Sequence, residues 1–167
     1  FSRNGQQSYG SLVNGGVVDL GARLGEHLPT LGAALRAEAL DELRRQTAAN
    51  APDFALEEVS FLPPVLDPGR VICVGLNYKS HIEETGRTLP EYPALFVRHP
   101  DSHVGNGEAM IRPKASDKYD YEGELAFIIG KPGRHIPTEQ ALDYVAGYSC
   151  YNDGSIRDYQ RHTSQFM

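Results

Sequence analysis

The chain has 167 residues, 40% of them hydrophobic and 23% charged, a composition that suits one soluble globular domain or one domain with a small appendage. Lys and Arg number 16 against 22 Asp and Glu, so the net charge is -6, and no basic stripe is present to track the phosphates of a nucleic acid. No apolar run approaches the roughly 20 residues of a membrane helix, and the first residues lack a signal-peptide core, so the sequence reads as cytoplasmic with no membrane partner.

Residues 9–20 place Asn14-Gly15 between two β-prone segments, the strongest short-range hairpin signal. Thr30 is a good N-cap, and Leu31, Leu35 and Leu43 recur at near-helical spacing, which predicts one amphipathic helix over 31–49 with Arg36, Glu38, Asp41, Arg44 and Arg45 on its polar face. Pro52, Pro63, Pro64 and Pro68 then break regular structure. They divide the chain near residue 66 into a small N-terminal domain, 1–66, built of a hairpin plus a helix, and a second unit, 67–167.

In the second unit residues 71–76 read as a buried strand and 79–85, closed by Gly86, as a brief helix. Further short strands are expected at 94–97 and 109–112, and a stronger one at 122–129. Thr138 is expected to cap a helix to about residue 145, 147–151 to form a last strand, and Ser155 to cap a helix carrying Arg157 and Gln160. Cys73 and Cys150 sit in apolar, strand-like sequence and are expected to be small buried hydrophobes without redox chemistry.

Glu122 and Glu124, two apart in a strand, point to the same face. An isolated pair of this kind is commonly a solvated face. Here Leu125, Phe127 and Ile129 on one side and Ala126, Ile128 and Gly130 on the other predict that both faces are covered, so the two carboxylates need compensation. A divalent cation supplies it. Asp153, at the end of another apolar strand and before a glycine, is either a turn residue or a third oxygen ligand if the strand ends are neighbours. All-oxygen ligation favours Mg2+ or Mn2+ over zinc.

His81 and Glu84 are three apart on the short helix, as an exposed pair or as a dyad in which the carboxylate orients the imidazole. Arg157 and Gln160 share that spacing, and a planar guanidinium with a neighbouring amide suits a substrate carboxylate, though a surface arginine is the common alternative. His99, His103, His135 and His162 have no ligand spacing and are read as surface or loop residues.

Three blocks together resemble the fumarylacetoacetate hydrolase family: Val74-Gly75-Leu76-Asn77-Tyr78 leading to His81 and Glu84; Asp120-Tyr121-Glu122-Gly123-Glu124-Leu125; and Tyr151-Asn152-Asp153 followed by Arg157-Asp158-Tyr159-Gln160. Leu62-Pro63-Pro64-Val65 resembles the end of that family's small first domain. The resemblance implies an α+β fold, a mixed β-sheet roll preceded by a small α/β domain, assembled as a homodimer. It implies Mg2+, or Mn2+, on Glu122, Glu124 and Asp153, a catalytic dyad of His81 and Glu84, and substrate contacts from Arg157 and Gln160. The implied activity is metal-dependent hydrolysis of C–C bonds in acylpyruvate-type 2,4-dioxo acids. Oxaloacetate decarboxylation and 2-hydroxyhepta-2,4-diene-1,7-dioate isomerisation are alternatives on the same site, and a non-catalytic, ligand-binding member is an alternative of another class. Where many members carry Phe-x-Lys-Pro, this chain has Phe96-Val97-Arg98-His99, which keeps the positive charge. The family pattern also continues beyond Met167 through a substrate-binding lysine and more of the roll, so the chain is expected to be truncated.

Overall fold

Two Asn-Gly pairs shape the start of the chain in the computed structural model, which describes residues 1–84, 86 and 88–163. At Asn4-Gly5 and Asn14-Gly15 both residues take positive φ (52° and 79°, 49° and 79°), the turn whose twist matches a two-residue hairpin. The first joins β1 (Ser2–Arg3) to β2 (Gln6–Gln7), a hairpin the sequence reading did not anticipate, and the second joins β3 (Gly10–Val13) to β4 (Gly16–Asp19), as the sequence predicts. Strand β5 (Phe54–Ala55) adds to the free side of β4.

Asp19 caps α1 (Leu20–Leu24) by accepting from the Ala22 N–H, and Thr30 caps α2 (Leu31–Arg36) through Ala33 N–H at 3.0 Å. The single helix expected over 31–49 is instead two, α2 and α3 (Leu40–Ala49), because the chain turns at Glu38, whose φ is 53°. The turn lets leucines from both helices reach one centre. Val18, Leu20, Ala34 and Leu43 form its buried heart, with Leu31, Leu40 and Tyr9 packed around them.

From Val71 onward the described strands form antiparallel ribbons. Strand β6 (Val71–Gly75) pairs with β7 (Ala94–Arg98), β8 (Tyr119–Asp120) with β11 (Ser155–Ile156), and β9 (Gly123–Ile129) with β10 (Val145–Asn152). Helix α4 (Lys79–Glu84) follows β6, and its expected last residue, Thr85, lies outside the described residues. The mixed α+β class is therefore as expected. Among the described residues no helix is long and apolar enough to cross a membrane.

Four expectations are corrected. Residues 109–112 are not a strand: Ile111 is 87% exposed, and Pro113 has no N–H to offer a ladder. Thr138 opens a 3-10 helix, Thr138–Tyr144, without capping it. Ser155 belongs to β11, and the short 3-10 helix beyond it, Tyr159–Arg161, is capped by Asp158 instead. The fourth concerns burial. In both long ribbons residues alternate between a half-buried and an exposed face, so Leu125, Phe127 and Ile129 stand open on β9, as do Ile72 and Val97 on β6 and β7, and Cys150 is exposed as well. On β9 only the face of Glu124, Ala126 and Ile128 is half-buried.

Gly105 passes close against the backbone of Phe61 and Leu62. A methyl group built on buried Gly105 would stand 1.8 Å from the Phe61 carbonyl oxygen, a backbone atom that cannot swing aside. Gly105→Ala is therefore expected to destabilise the protein by about 1–3 kcal/mol through overpacking. Urea denaturation checks this, and an unchanged midpoint would mean that the close approach is not maintained.

Candidate functional site

The pairing of β9 with β10 sets Glu124 opposite Tyr151 and Gly123 opposite Asn152. One step further, the Asp153 N–H donates to the Glu122 carbonyl at 2.9 Å, and the Glu122 N–H donates to the Asn152 side-chain oxygen at 3.1 Å. Opposed residues of an antiparallel pair project to the same side. The register thus collects Glu122, Glu124, Tyr151 and Asp153 on one face, turned toward the inward residues of the β6–β7 ribbon, Cys73, Phe96 and Arg98.

Each carboxylate is compensated differently. Asp153, 5% exposed, accepts a hydrogen bond from Arg98 Nε at 2.6 Å, an ion pair that ties the two ribbons together. Glu122 Oε1 accepts from Arg157 Nη1 at 2.8 Å and from the buried Ser155 hydroxyl at 2.7 Å. Glu124 has the Tyr78 hydroxyl, which also accepts the Leu125 N–H at 3.1 Å. Burial pushes the Glu124 carboxyl above its ordinary value; the Tyr78 hydrogen bond opposes this, the charges of Glu122 and Asp153 add to it, and His81 opposes it. The His81 ring is thus near enough for its charge to act weakly on the Glu124 carboxylate.

The chain achieves this placement through a strained turn. Leu76, directly after β6, has φ of 54°, a conformation that L-residues other than Asn and Asp seldom adopt. The reversal sends Tyr78 back to Glu124 and starts α4, which carries His81 and Glu84 on exposed positions while Ile82 is buried beneath them.

Of the two residues expected to meet substrate, Gln160 lines a cavity of about 270 Å³ and Arg157 does not. Arg157 is instead bonded on three sides, to Asp120 from Nε at 2.9 Å, to Glu122, and to Gln160 Oε1 at 3.2 Å. The cavity walls are Phe96, Pro113 and Ile156 on the apolar side, with Arg98, Ser155 and Gln160 on the polar side. It therefore adjoins the carboxylates through Arg98 and Ser155.

Two participants were missed by sequence reasoning. His103, read as a loop residue, is half-buried, with its Nε2 3.2 Å from the Tyr151 hydroxyl and the rings edge to face. Burial and then the Arg98 charge lower the His103 pKa, favouring the neutral ring. Burial, the Asp153 charge and Cys73 raise Tyr151 to about 12, so its hydroxyl keeps the proton it needs to donate to that ring.

Three carboxylates in one electrostatic neighbourhood form a donor set suited in chemistry to a hard divalent cation. Among the described residues, however, no three His, Cys, Asp or Glu side chains stand in a metal-holding arrangement, and arginines hold Glu122 and Asp153.

The same acidic face acts on a thiol. Burial first, then the charges of Asp153 and Glu124, push Cys73 up to about 11, against a lowering by Arg98. Since the thiolate is the reactive form, at pH 8 its population should be about a hundredfold below that of a thiol of pKa 9. Alkylation followed by mass spectrometry should label the exposed Cys150 first and Cys73 only as the pH climbs toward 11. Equal labelling of both at pH 8 would contradict this placement.

A family profile described as Fumarylacetoacetate (FAA) hydrolase C-terminal matches residues 70–167. Among curated relatives, the mitochondrial oxaloacetate tautomerase Fahd2a of Rattus norvegicus is 42% identical over 159 residues, which cover 93% of this chain and 50% of the relative. Among solved structures, the fumarylacetoacetate hydrolase of Exiguobacterium antarcticum superposes with a TM-score of 0.68 at 34% identity, covering 100% of this chain and 58% of that one. The 2-hydroxyhepta-2,4-diene-1,7-dioate isomerase of Mycobacterium marinum gives a TM-score of 0.58 at 32% identity, with 71% and 44% covered. The chain thus spans about half the length of these relatives. With a profile match over more than half of its residues, the chain belongs to the fumarylacetoacetate hydrolase family.

Proposed function

We propose that this chain carries the acidic centre of an enzyme that moves a proton next to the carbonyl of a small 2-oxo acid, interconverting keto and enol forms. The observation that carries the reading is the convergence of Glu122, Glu124 and Asp153 on one face, with His81 in electrostatic reach and a small cavity alongside. An oxaloacetate tautomerase and a dienedioate isomerase among the similar proteins support this choice of reaction.

Glu122, Glu124 and Asp153 would hold Mg2+ or Mn2+ through the carboxylate oxygens that Arg98 and Arg157 leave uncommitted. When bound, such an ion supplies Lewis-acid polarisation of the 2-oxo group. His81 takes the proton from the carbon beside that group and delivers it to the enolate oxygen so formed, while Glu84, three residues on, fixes the imidazole's orientation. Gln160 offers its amide to the substrate in the cavity. Arg157 keeps Glu122 and Gln160 in register with one another. Tyr78, bonded to Glu124, limits the freedom of that carboxylate.

A second reading keeps the same residues and adds water. His81 then activates a water molecule that attacks the distal carbonyl of an acylpyruvate, with cleavage of the C–C bond. The fumarylacetoacetate hydrolase among the similar structures favours it.

Assays of the intact protein with Mg2+ or Mn2+ on oxaloacetate and on acetylpyruvate separate the two, following enol absorbance and pyruvate release respectively. His81→Ala should reduce turnover by about a hundredfold or more, the loss typical of a missing general base. In calorimetric titration it should leave Mn2+ affinity unchanged. Glu124→Gln should remove Mn2+ binding. Full activity in the His81 variant would take that residue out of the chemistry, and metal binding without turnover of any 2-oxo acid would favour a non-catalytic, ligand-binding member.

A further inference from the structure

We infer that His103 is a positioning residue for the acidic face: by accepting a hydrogen bond from the Tyr151 hydroxyl, it joins Arg98 in a two-point bracket that fixes the end of β10. The bracket stands on its own geometry, and its consequence for a bound cation rests on the reading above. Arg98 and His103 lie in one short segment, and their partners, Asp153 and Tyr151, lie in another. Arg98 Nε donates to Asp153 at 2.6 Å, and the Tyr151 hydroxyl lies 3.2 Å from His103 Nε2, with the two rings edge to face at 5.4 Å.

A single contact fixes a point and leaves the strand free to pivot about it. Among the described residues the ribbons β6–β7 and β9–β10 share no backbone ladder, so side chains have to supply the second point. Residues two apart in extended chain are separated by about 6.6 Å, a lever long enough for the pair of contacts to resist that rotation. Tyr151 is also the residue paired directly with Glu124, on the same face. Holding its ring therefore steadies the backbone beside Glu124 as well as the step to Asp153, whose N–H reaches the Glu122 carbonyl at 2.9 Å.

A strut needs a fixed base, and the segment around His103 is held on both sides. Ahead of the ring, the 3-10 helix Pro100–Ser102 is closed by the His103 N–H on the Pro100 carbonyl at 3.2 Å, and Ser102 Oγ donates to the His99 carbonyl at 2.7 Å. Behind it, buried Gly105 lies against the Phe61 backbone. The charges acting on the ring are Arg98 on β7, Asp101 on the 3-10 helix and Asp153 after β10. Burial and Arg98 favour the neutral imidazole, and a neutral imidazole with its proton on Nδ1 leaves Nε2 free to accept from the phenol.

Three variants of the intact protein separate the hydrogen bond from packing. His103→Leu keeps the bulk and removes the acceptor, His103→Gln retains an acceptor oxygen at similar reach, and Tyr151→Phe removes the donor. Melting temperature reports folding, and NMR compares exchange of the Asp153 amide with that of Gly130, whose N–H donates to the Tyr144 carbonyl at the far end of the ribbon. His103→Leu and Tyr151→Phe should each speed Asp153 exchange about tenfold, the size expected of one hydrogen bond, and leave Gly130 unchanged. The double variant should go no further than either single one, and His103→Gln should recover most of the wild-type rate. The wild-type ring should show the nitrogen shifts of the Nδ1–H tautomer. Calorimetric titration with Mn2+ alone should follow the same order, with binding about tenfold weaker in the Leu and Phe variants. Wild-type exchange in a folded His103→Leu variant, additive effects in the double variant, a His103→Gln variant no better than His103→Leu, or equal Mn2+ affinity in all of them would overturn the inference. Where His103→Leu does not fold, Tyr151→Phe decides: faster Asp153 exchange supports the bracket and unchanged exchange refutes it. A wild type that binds no Mn2+ sinks the metal reading, and the exchange rates then decide the bracket by themselves.

Discussion

The part-buried ion pair between Arg98 and Asp153 is the constraint on which the second half of the molecule depends. It joins two ribbons that have no backbone hydrogen-bond ladder in common, and it lies on the inward face of both. Removing one member of such a pair strands the other charge away from water, at a cost of about 3–5 kcal/mol. The pair also sets geometry. Asp153 is fixed relative to Glu122 by the backbone and relative to β7 by Arg98, so the cavity and the acidic face keep a common wall.

Around that pair the fold uses three kinds of compensation for negative charge. A guanidinium faces Asp153, a guanidinium and a buried hydroxyl face Glu122, and a phenol faces Glu124. The least compensated is Glu124, whose carboxyl is held above its ordinary range by burial and by its two acidic neighbours. The polar contacts are supplied by segments distant in sequence: β7 gives Arg98, the turn after β6 gives Tyr78, and the stretch from β11 onward gives Ser155 and Arg157. The left-handed Leu76 is the local strain that allows the second of these to reach back.

Period-two patterning made the ribbons legible. Val71 to Gly75 and Ala94 to Arg98 are strands where short apolar β-branched runs predicted them, and the Asn14-Gly15 signal gave the first long hairpin its turn. The break between α2 and α3 was not legible, because Ala37, Glu38 and Ala39 include good helix formers and the turn is imposed by packing around Val18 and Leu20. At the candidate site, the shared face of Glu122 and Glu124 followed from spacing, and the nearness of Asp153 followed once the strand ends were paired. The sequence could not show how the arginines are spent. That depends on contacts across 37 residues for Arg157 with Asp120 and 55 for Arg98 with Asp153. A signal for Arg98 did exist: it shares the inward parity of Ala94 and Phe96, where a charged residue demands a partner. His103 and Tyr151 carried no comparable pattern, since their contact joins a loop to a strand.

The outward faces of the ribbons have a colloidal consequence. Ile72 and Val74 alternate with inward residues on β6, Leu95 and Val97 do so on β7, and Leu125, Phe127 and Ile129 form a parallel row on β9. Such rows, poor in charge and rich in β-forming side chains, are the kind of surface on which extended segments stack and fibrillar deposits begin. Wherever those greasy rows are left uncovered, they favour self-association in concentrated solution.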